Sequence, residues 1–383
     1  MSPQAKEEYF EVLYKRYKEA SRKEKTVIID ECCAVCGYHR KHAIRRLRGH
    51  KRFTKPKSKK RGKPAVYNKD AVIRPLKQIW LTANLPCSKR LKAILPLWLP
   101  NKYSEHFCQL AEDIIKALLA ISPATIDRIL KPVRVQYQKR GKSTTKPGTL
   151  LRKHIPINTN QWEVFRPGYL EADTVAHCGD SLLGMFAYTI DFVDIATGWT
   201  EQRAVWGKGE KGVLEQIKDV EKMLPFPLLG FDSDNGGEFL NYHLLRHFTD
   251  RKQPISFTRS RAYHKDDNAH IEQKNWTHVR QWLGYQRLDN PKVVSLMNNL
   301  YRNEWRLFHN YFLPSVKLIE KERIGSKTIK KHDGPKTTYQ RIMESKDIHK
   351  SIKLSLTKQL ENLNPFELNN IMQMKLKKIT RLR

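Results

Sequence analysis

Apolar residues recur along this chain in three textures, and each predicts a different kind of element. In residues 1–50 they fall at helical spacing: Tyr9, Val12, Leu13 and Tyr17 form one stripe, Val27, Ile28, Ile29 and Cys32 to Val35 a second, and Ala43, Ile44 and Leu47 a third. Cys36-Gly37-Tyr38 breaks the last two. Helical spacing returns in residues 70–131, where Ser122 is placed to cap a helix and Pro123 to occupy its first position. From Pro167 the pattern shortens to alternation. Gly168 to Val175, Leu182 to Val193 and Gly198 to Val205 read as three strands, the last after an Ala196-Thr197-Gly198 turn. A helix over Lys211 to Leu224, a strand at Leu228 to Phe231, a helix from Phe239 to Phe248, a strand at Ile255 to Thr258 and a helix from Asn268 to Leu283 follow. Strands joined by tight turns and then alternating with helices describe an α/β sheet with antiparallel and parallel parts. After Asn290 the chain reads as helical, with Leu296 to Tyr311 the clearest segment.

Two stretches carry no such pattern. Residues 51–64 and 131–153 each hold eight basic residues and no acid, and read as extended basic linkers. The expected organisation is multidomain: a helix-turn-helix region at 1–50, a linker at 51–69, a second helical, helix-turn-helix region at 70–131, a linker at 132–164, an α/β core at 165–288 and a helical basic region at 289–383.

Charge then changes the picture. Seventy-two Lys and Arg against 39 Asp and Glu leave +33, which attracts polyanions and points to nucleic acid. The helix after Gly37 carries Arg40, Lys41, Arg45 and Arg46, the arrangement of a helix aimed at a DNA groove. No run approaches the ~20 apolar residues of a membrane span, and Met1 to Phe10 is too polar for a signal peptide. The expectation is a soluble intracellular protein. Six cysteines in no paired pattern fit a reducing compartment. Cys33, Cys36, His39 and His42 have regular spacing, but they crowd too closely for a zinc site and read as core packing.

Three carboxylates stand out from the rest. Asp173 lies mid-strand with Glu171 on the same face, Asp234 just past the Leu228 strand, and Glu272 in the first turn of a later helix. If the first and fourth strands are neighbours, Asp173 and Asp234 meet and Glu272 closes over them. Carboxylates so close repel unless a cation sits among them, and oxygen-only ligands suit Mg²⁺ or Mn²⁺. Asp191 and Asp194 read as strand-end or turn residues, Asp232 as part of its strand, and Glu238 as favouring a helix N-terminus. Arg259, Arg261, His264, Lys265 and Lys274 flank the acids as a basic, DNA-holding rim.

At these residues the chain resembles the transposases of bacterial insertion sequences with a retroviral-integrase-type core. Four segments carry the resemblance in order: Glu171-Ala172-Asp173-Thr174, Ile190 to Thr197, Ser233-Asp234-Asn235-Gly236-Gly237-Glu238-Phe239, and Ala262 to Glu272, with 37 residues between Asp234 and Glu272. Lys265 stands where that family commonly has Pro, and Ala269 where it has Gly. The resemblance implies a ribonuclease-H-like core with a mixed five-stranded sheet, and Asp173, Asp234 and Glu272 as metal-binding catalytic residues. It further implies Mg²⁺-dependent nicking of double-stranded transposon ends, 3′-hydroxyl transfer into target DNA, a homo-multimer on DNA, and a nucleoid-associated protein of the bacterial cytoplasm. A DNA-binding regulator with an inactive core, and a metal-dependent nuclease without strand transfer, are the alternatives.

Overall fold

The computed structural model describes residues 3–49, 67, 69–99, 110–134, 137, 164, 166–234, 236–260, 269–324 and 327–382. The chain divides into two compact units, Met1–Ala65 and Val66–Arg383.

The first unit holds three helices, α1 (Pro3–Glu19), α2 (Arg22–Cys36) and α3 (Arg40–Leu47). Their apolar stripes meet in one small core of Phe10, Leu13, Tyr17, Ile28, Ile29, Cys32, Cys36, Ala43 and Leu47. Gly37 ends α2 at φ 68°, a left-handed conformation that suits a residue without a Cβ. His39 then caps α3 by accepting from the Lys41 N–H. Cys32 and Cys36 pack in the core and His42 sits edge-on to Tyr38, which accounts for these side chains by packing. Arg46 is turned inward: it makes a two-pronged contact with Glu7, donates to the Tyr38 hydroxyl and stacks 4.2 Å from the Phe10 ring centroid. Arg40 pairs with Asp30, whereas Lys41 and Arg45 are exposed.

In the second unit α4 (Asp70–Thr82), α5 (Ser88–Trp98), α6 (Glu112–Ala120) and α7 (Pro123–Arg134) precede the sheet. Ser122 accepts from the Thr125 N–H at 3.2 Å, so α7 starts as its Ser-Pro signal requires. The sheet comprises β1 (Tyr169–Ala176), β2 (Ala187–Asp194) and β3 (Thr200–Trp206), then, after α8 (Glu210–Met223), β4 (Gly230–Ser233), α9 (Tyr242–Thr249) and β5 (Ser256–Arg259). Strand order is β3-β2-β1-β4-β5; β1–β2 and β2–β3 are antiparallel, β1–β4 and β4–β5 parallel. The apolar run at Leu182 to Met185 is an exposed loop rather than the start of β2. Gly184 takes a positive φ there, and Arg287 holds the loop by donating to the Ser181 and Leu183 carbonyls.

Beyond β5 the chain forms α10 (Ala269–Lys274), which runs through a π-helical segment (Asn275–Arg280) into α11 (Gln281–Leu283). Next come α12 (Lys292–Leu300), a second π segment (Tyr301–Trp305) and α13 (Arg306–Phe312). An antiparallel hairpin follows, β6 (Leu318–Ile324) with β7 (Lys327–His332), then α14 (Thr338–Glu344), α15 (Lys350–Glu361) and α16 (Pro365–Arg381). The C-terminal region is helical as expected, with this hairpin, which the sequence did not predict, set between its helices. Asp333 closes its base, its N–H donating to the Lys317 carbonyl and its carboxylate accepting from the Lys317 N–H.

One cluster, including Trp98, Leu130, Val175, Trp199, Trp305, Phe308, Phe366 and Met372, joins α4–α7, one sheet face and the C-terminal helices. The regions expected at 70–131, 165–288 and 289–383 therefore share one core. Phe192, Phe231, Phe248 and Ile217 fill the opposite face under α8 and α9. The edge strand β3 is clamped by two amides. Asn298 bonds the Ala204 N–H and carbonyl at 2.7 and 2.9 Å, and Asn310 bonds those of Thr200 at 2.9 and 2.8 Å. Each asparagine thus stands in for the next strand and satisfies backbone groups an edge leaves open.

Candidate active site

The parallel register of β1 and β4 pairs Ala172 with Ser233, so the next residues, Asp173 and Asp234, come side by side. Both carboxylates are partly exposed. Asp173 accepts from the Thr174 N–H at 2.7 Å and from Asn275 Nδ2 at 2.6 Å. Asp234 accepts from the Gly236 N–H at 3.0 Å. Burial and then the Asp234 charge push the Asp173 carboxyl up to about 7, against the two donors that favour its charged form. Burial and then Glu238 raise Asp234 as well.

Glu238 belongs to this site and not to a helix N-terminus, which corrects the sequence expectation. It is buried, accepts from Thr174 Oγ1 at 2.8 Å, and is ion-paired with Lys208. The cap of α9 is instead Asn241, which accepts from the Leu244 N–H at 2.9 Å. Lys208 also lies over the Tyr188 ring. Burial works against its charge, but Glu238 and Asp234 hold the ammonium above its ordinary range. Gly236 runs so close to these acids that a Cβ there would stand 2.6 Å from Glu238 Oε2 and 2.9 Å from Asp234 Oδ1.

Helix α10 brings Glu272 to the same strand. Glu171, buried beside Asp173, accepts from the Ile271 N–H at 3.1 Å, in the first turn of α10, and Asn275 reaches Asp173 from its end. Glu272 is thus in a helix anchored to β1 at two points; its side chain lies outside the described set. Among the described residues no group of three His, Cys, Asp or Glu gathers as a metal site, and Asp173 with Asp234 is a pair.

The remaining acids have other work. Asp194 accepts from the Gly168 N–H, the Thr197 N–H and the Thr197 hydroxyl, so it builds the β2–β3 turn as expected. Asp232 accepts from the Thr258 hydroxyl at the β4–β5 pairing. Asp191 is fully buried opposite Asp173 in the β1–β2 register and accepts from Gln202 Nε2 at 2.7 Å. Burial raises its carboxyl to about 7.

The expected basic rim is only partly visible. Arg261, His264 and Lys265 lie outside the described residues. Arg259 is buried at the end of β5. Lys274 is not on an exposed rim either: it is buried, and burial with the nearby Arg90 lowers it to about 7 against the pull of Asp191. A helix places successive residues about 100° apart, so Lys274 leaves the face that Asn275 presents to Asp173. Of the residues that shape the site, Lys208 and Asn275 stood out in no motif, while Glu238 lay inside one but read as a helix N-terminal acid. Lys208 follows an edge strand and Asn275 enters a π segment, and no local pattern marks either.

Comparison with protein-family models finds no match. An uncharacterized protein of Sinorhizobium fredii, y4rM, is 37% identical over 329 residues, covering 86% of this chain and 92% of the relative. Identity of that level over nearly both lengths establishes common descent, and the chain belongs to the same family as y4rM.

Proposed function

We propose that this protein is a DNA transposase of the integrase type, with a ribonuclease-H-like core. It cleaves DNA at transposon ends and transfers the freed 3′-hydroxyl into target DNA. The observation that carries this reading is the pair Asp173 and Asp234, held side by side by β1–β4 pairing beneath a helix bearing Glu272 and tied to β1. A sheet ordered β3-β2-β1-β4-β5, with the first three strands antiparallel and the last two parallel to β1, supports the fold assignment.

The residues fit a divalent cation. Asp173, raised by burial and the Asp234 charge, and Asp234, raised by burial and the Glu238 charge, both gain when positive charge arrives, and an all-oxygen donor set suits Mg²⁺ or Mn²⁺. Each carboxylate oxygen has two lone pairs, so the single contacts to Thr174, Asn275 and Gly236 leave acceptor capacity on both acids. Asp173, Asp234 and Glu272 would hold the ion, which when bound supplies charge to activate an attacking oxygen and stabilise a departing one at phosphorus. The chain's own residues do the positioning. Thr174 and Asn275 each hold one oxygen of the Asp173 carboxylate, the Gly236 N–H holds Asp234, and Lys208 pairs with Glu238 and offsets part of the charge it sets beside Asp234.

Net charge of +33 supports DNA as the partner. In the first unit the exposed Lys41, Arg45 and Arg48 recur on one face of α3 and its C-cap, and we assign this face to DNA. Joining of two ends implies a homo-multimer on DNA. The test incubates the protein with Mg²⁺ and DNA carrying the element's ends. Nicked and joined products are expected, both lost in Asp173→Asn and Asp234→Asn; activity that survives Asp234→Asn sinks the mechanism. Cutting without joining would reduce the assignment to a nuclease.

A further inference from the structure

A cavity with charged walls lies in the same unit, apart from the Asp173–Asp234 pair. It offers about 240 Å³ between the β2–β3 turn, the end of α10, the β6–β7 hairpin and α14. Neither Asp173 nor Asp234 lines it. Its walls carry Lys274, Lys317, Lys330, His332 and Arg341, and one acid, Asp194.

These charges are unevenly satisfied. Asp194 is spent on the turn, its two oxygens accepting from Gly168 and Thr197. Arg341 pairs with Asp333 and donates to the Ser315 carbonyl at 2.9 Å. Lys317 Nζ donates to the Ala196 carbonyl at 3.1 Å. Lys274 is only 7% exposed and feels the Asp191 charge, yet among the described residues its ammonium makes no hydrogen bond and no close ion pair. A buried ammonium carries three donors and loses much of its hydration, so leaving it unpaired is costly unless a ligand completes it. Lys330 and His332 are exposed at the same cavity, and among the described residues their side chains likewise make no hydrogen bond.

We infer that this cavity is a phosphate-binding site, in which Lys274, Lys317, Lys330 and Arg341 surround a tetrahedral oxyanion. Several cationic donors converging on a small polar space match the acceptor oxygens of phosphate. The volume equals several water-sized volumes of ~30 Å³, room for a phosphate group and bridging water. The phosphate can be free or a small ester, or it can be one link of a nucleic-acid backbone running past the hairpin.

Calorimetric titration of the full-length protein with inorganic phosphate, without metal, tests the site independently of any catalytic reading. Wild-type protein should bind phosphate saturably. Lys274→Met and Lys330→Ala should each weaken it roughly tenfold, the size of one charge-assisted hydrogen bond, while Lys358→Ala on the exposed face of α15 leaves it unchanged. Lys330 is solvent-exposed, so its variant reads the site even if Lys274→Met perturbs folding. A second arm titrates a DNA duplex against the same variants and competes it with phosphate. Competition and shared losses identify the backbone as the source; phosphate binding with unaltered duplex binding identifies a free or small phosphate. Absence of saturable phosphate binding at millimolar concentration, or affinities in both variants equal to wild type, overturns the proposal.

Discussion

Gly236→Ala puts the candidate site under direct strain, and its neighbour provides the control. A Cβ at 236 would lie 2.6 Å from Glu238 Oε2, 2.7 Å from its Cδ and 2.9 Å from Asp234 Oδ1, whereas ordinary contact begins near 3.4 Å. Glu238 must therefore retreat by about 0.8 Å and Asp234 by about 0.5 Å, or the turn must open. Glu238 has little room to do so, because it is 5% exposed and held by Thr174 and Lys208. Loosening those contacts costs about 1–3 kcal/mol. The alanine recovers about 0.4–1 kcal/mol by restricting the unfolded chain. A net loss of ~1–2 kcal/mol follows. At Gly237 a Cβ meets nothing within 4 Å, so Gly237→Ala carries the same unfolded-state effect without the clash. Urea denaturation at neutral pH should therefore show Gly236→Ala less stable than wild type and Gly237→Ala equal or slightly more stable. If the proposed Mg²⁺-dependent cleavage is the activity, displacing Asp234 by half an ångström should slow Gly236→Ala about tenfold in that assay, given that ~1 Å can cost ~10²-fold. Equal stability and equal activity of the two variants would refute the reasoning.

Two further outcomes follow from the charges beneath and beside the pair. Asp191 has its carboxyl raised to about 7 by burial, above an unfolded value of roughly 3.9. Its neutral form then contributes stability that is complete below the unfolded value and lost as pH rises through about 7. Asp191→Asn mimics that neutral form and keeps the bond from Gln202, so its advantage in urea midpoint should grow from pH 5 to pH 8; a gap constant with pH counts against the assignment. Lys208→Met keeps contact with Tyr188 but leaves the buried Glu238 with Thr174 alone. Because Lys208 is 38% exposed, its pair with Glu238 is discounted to about 1 kcal/mol, read as a lower denaturation midpoint at pH 7. A midpoint unchanged from wild type would show that the pair contributes nothing.

The parts of this fold written in short-range pattern were legible before any coordinates. Alternation located β1 and the centre position of Asp173, and an apolar run ending in Asp-Asn-Gly located β4 and Asp234. Ser122-Pro123 located the start of α7. What escaped depends on contacts remote in sequence. Glu238 sits where an acid also suits a helix N-terminus, and only the approach of Thr174, 64 residues earlier, and Lys208, 30 earlier, separates the two roles. The strands β6 and β7 are dominated by charge, with Ile319 and Ile329 facing out at 63% and 53% exposure, so no period announces a hairpin. Lys274 looked like part of a rim from its position two past Glu272, but the turn of the helix sends it into the interior.

The amide clamps on β3 constrain the helix that carries them. Asn298 and Asn310 are twelve residues apart, and in an unbroken α-helix that separation leaves two side chains about 120° out of alignment. The wide segment at Tyr301–Trp305 absorbs one residue, so the pair behaves as though eleven apart, close to three whole turns and within about 20° of one face. The spacing between the asparagines therefore works as a gauge: eleven residues in a regular helix or twelve with one wide turn present both amides to the strand edge, and other lengths release one of them. A feature that looks like a local irregularity is the means by which this helix stays in step with a strand of different pitch.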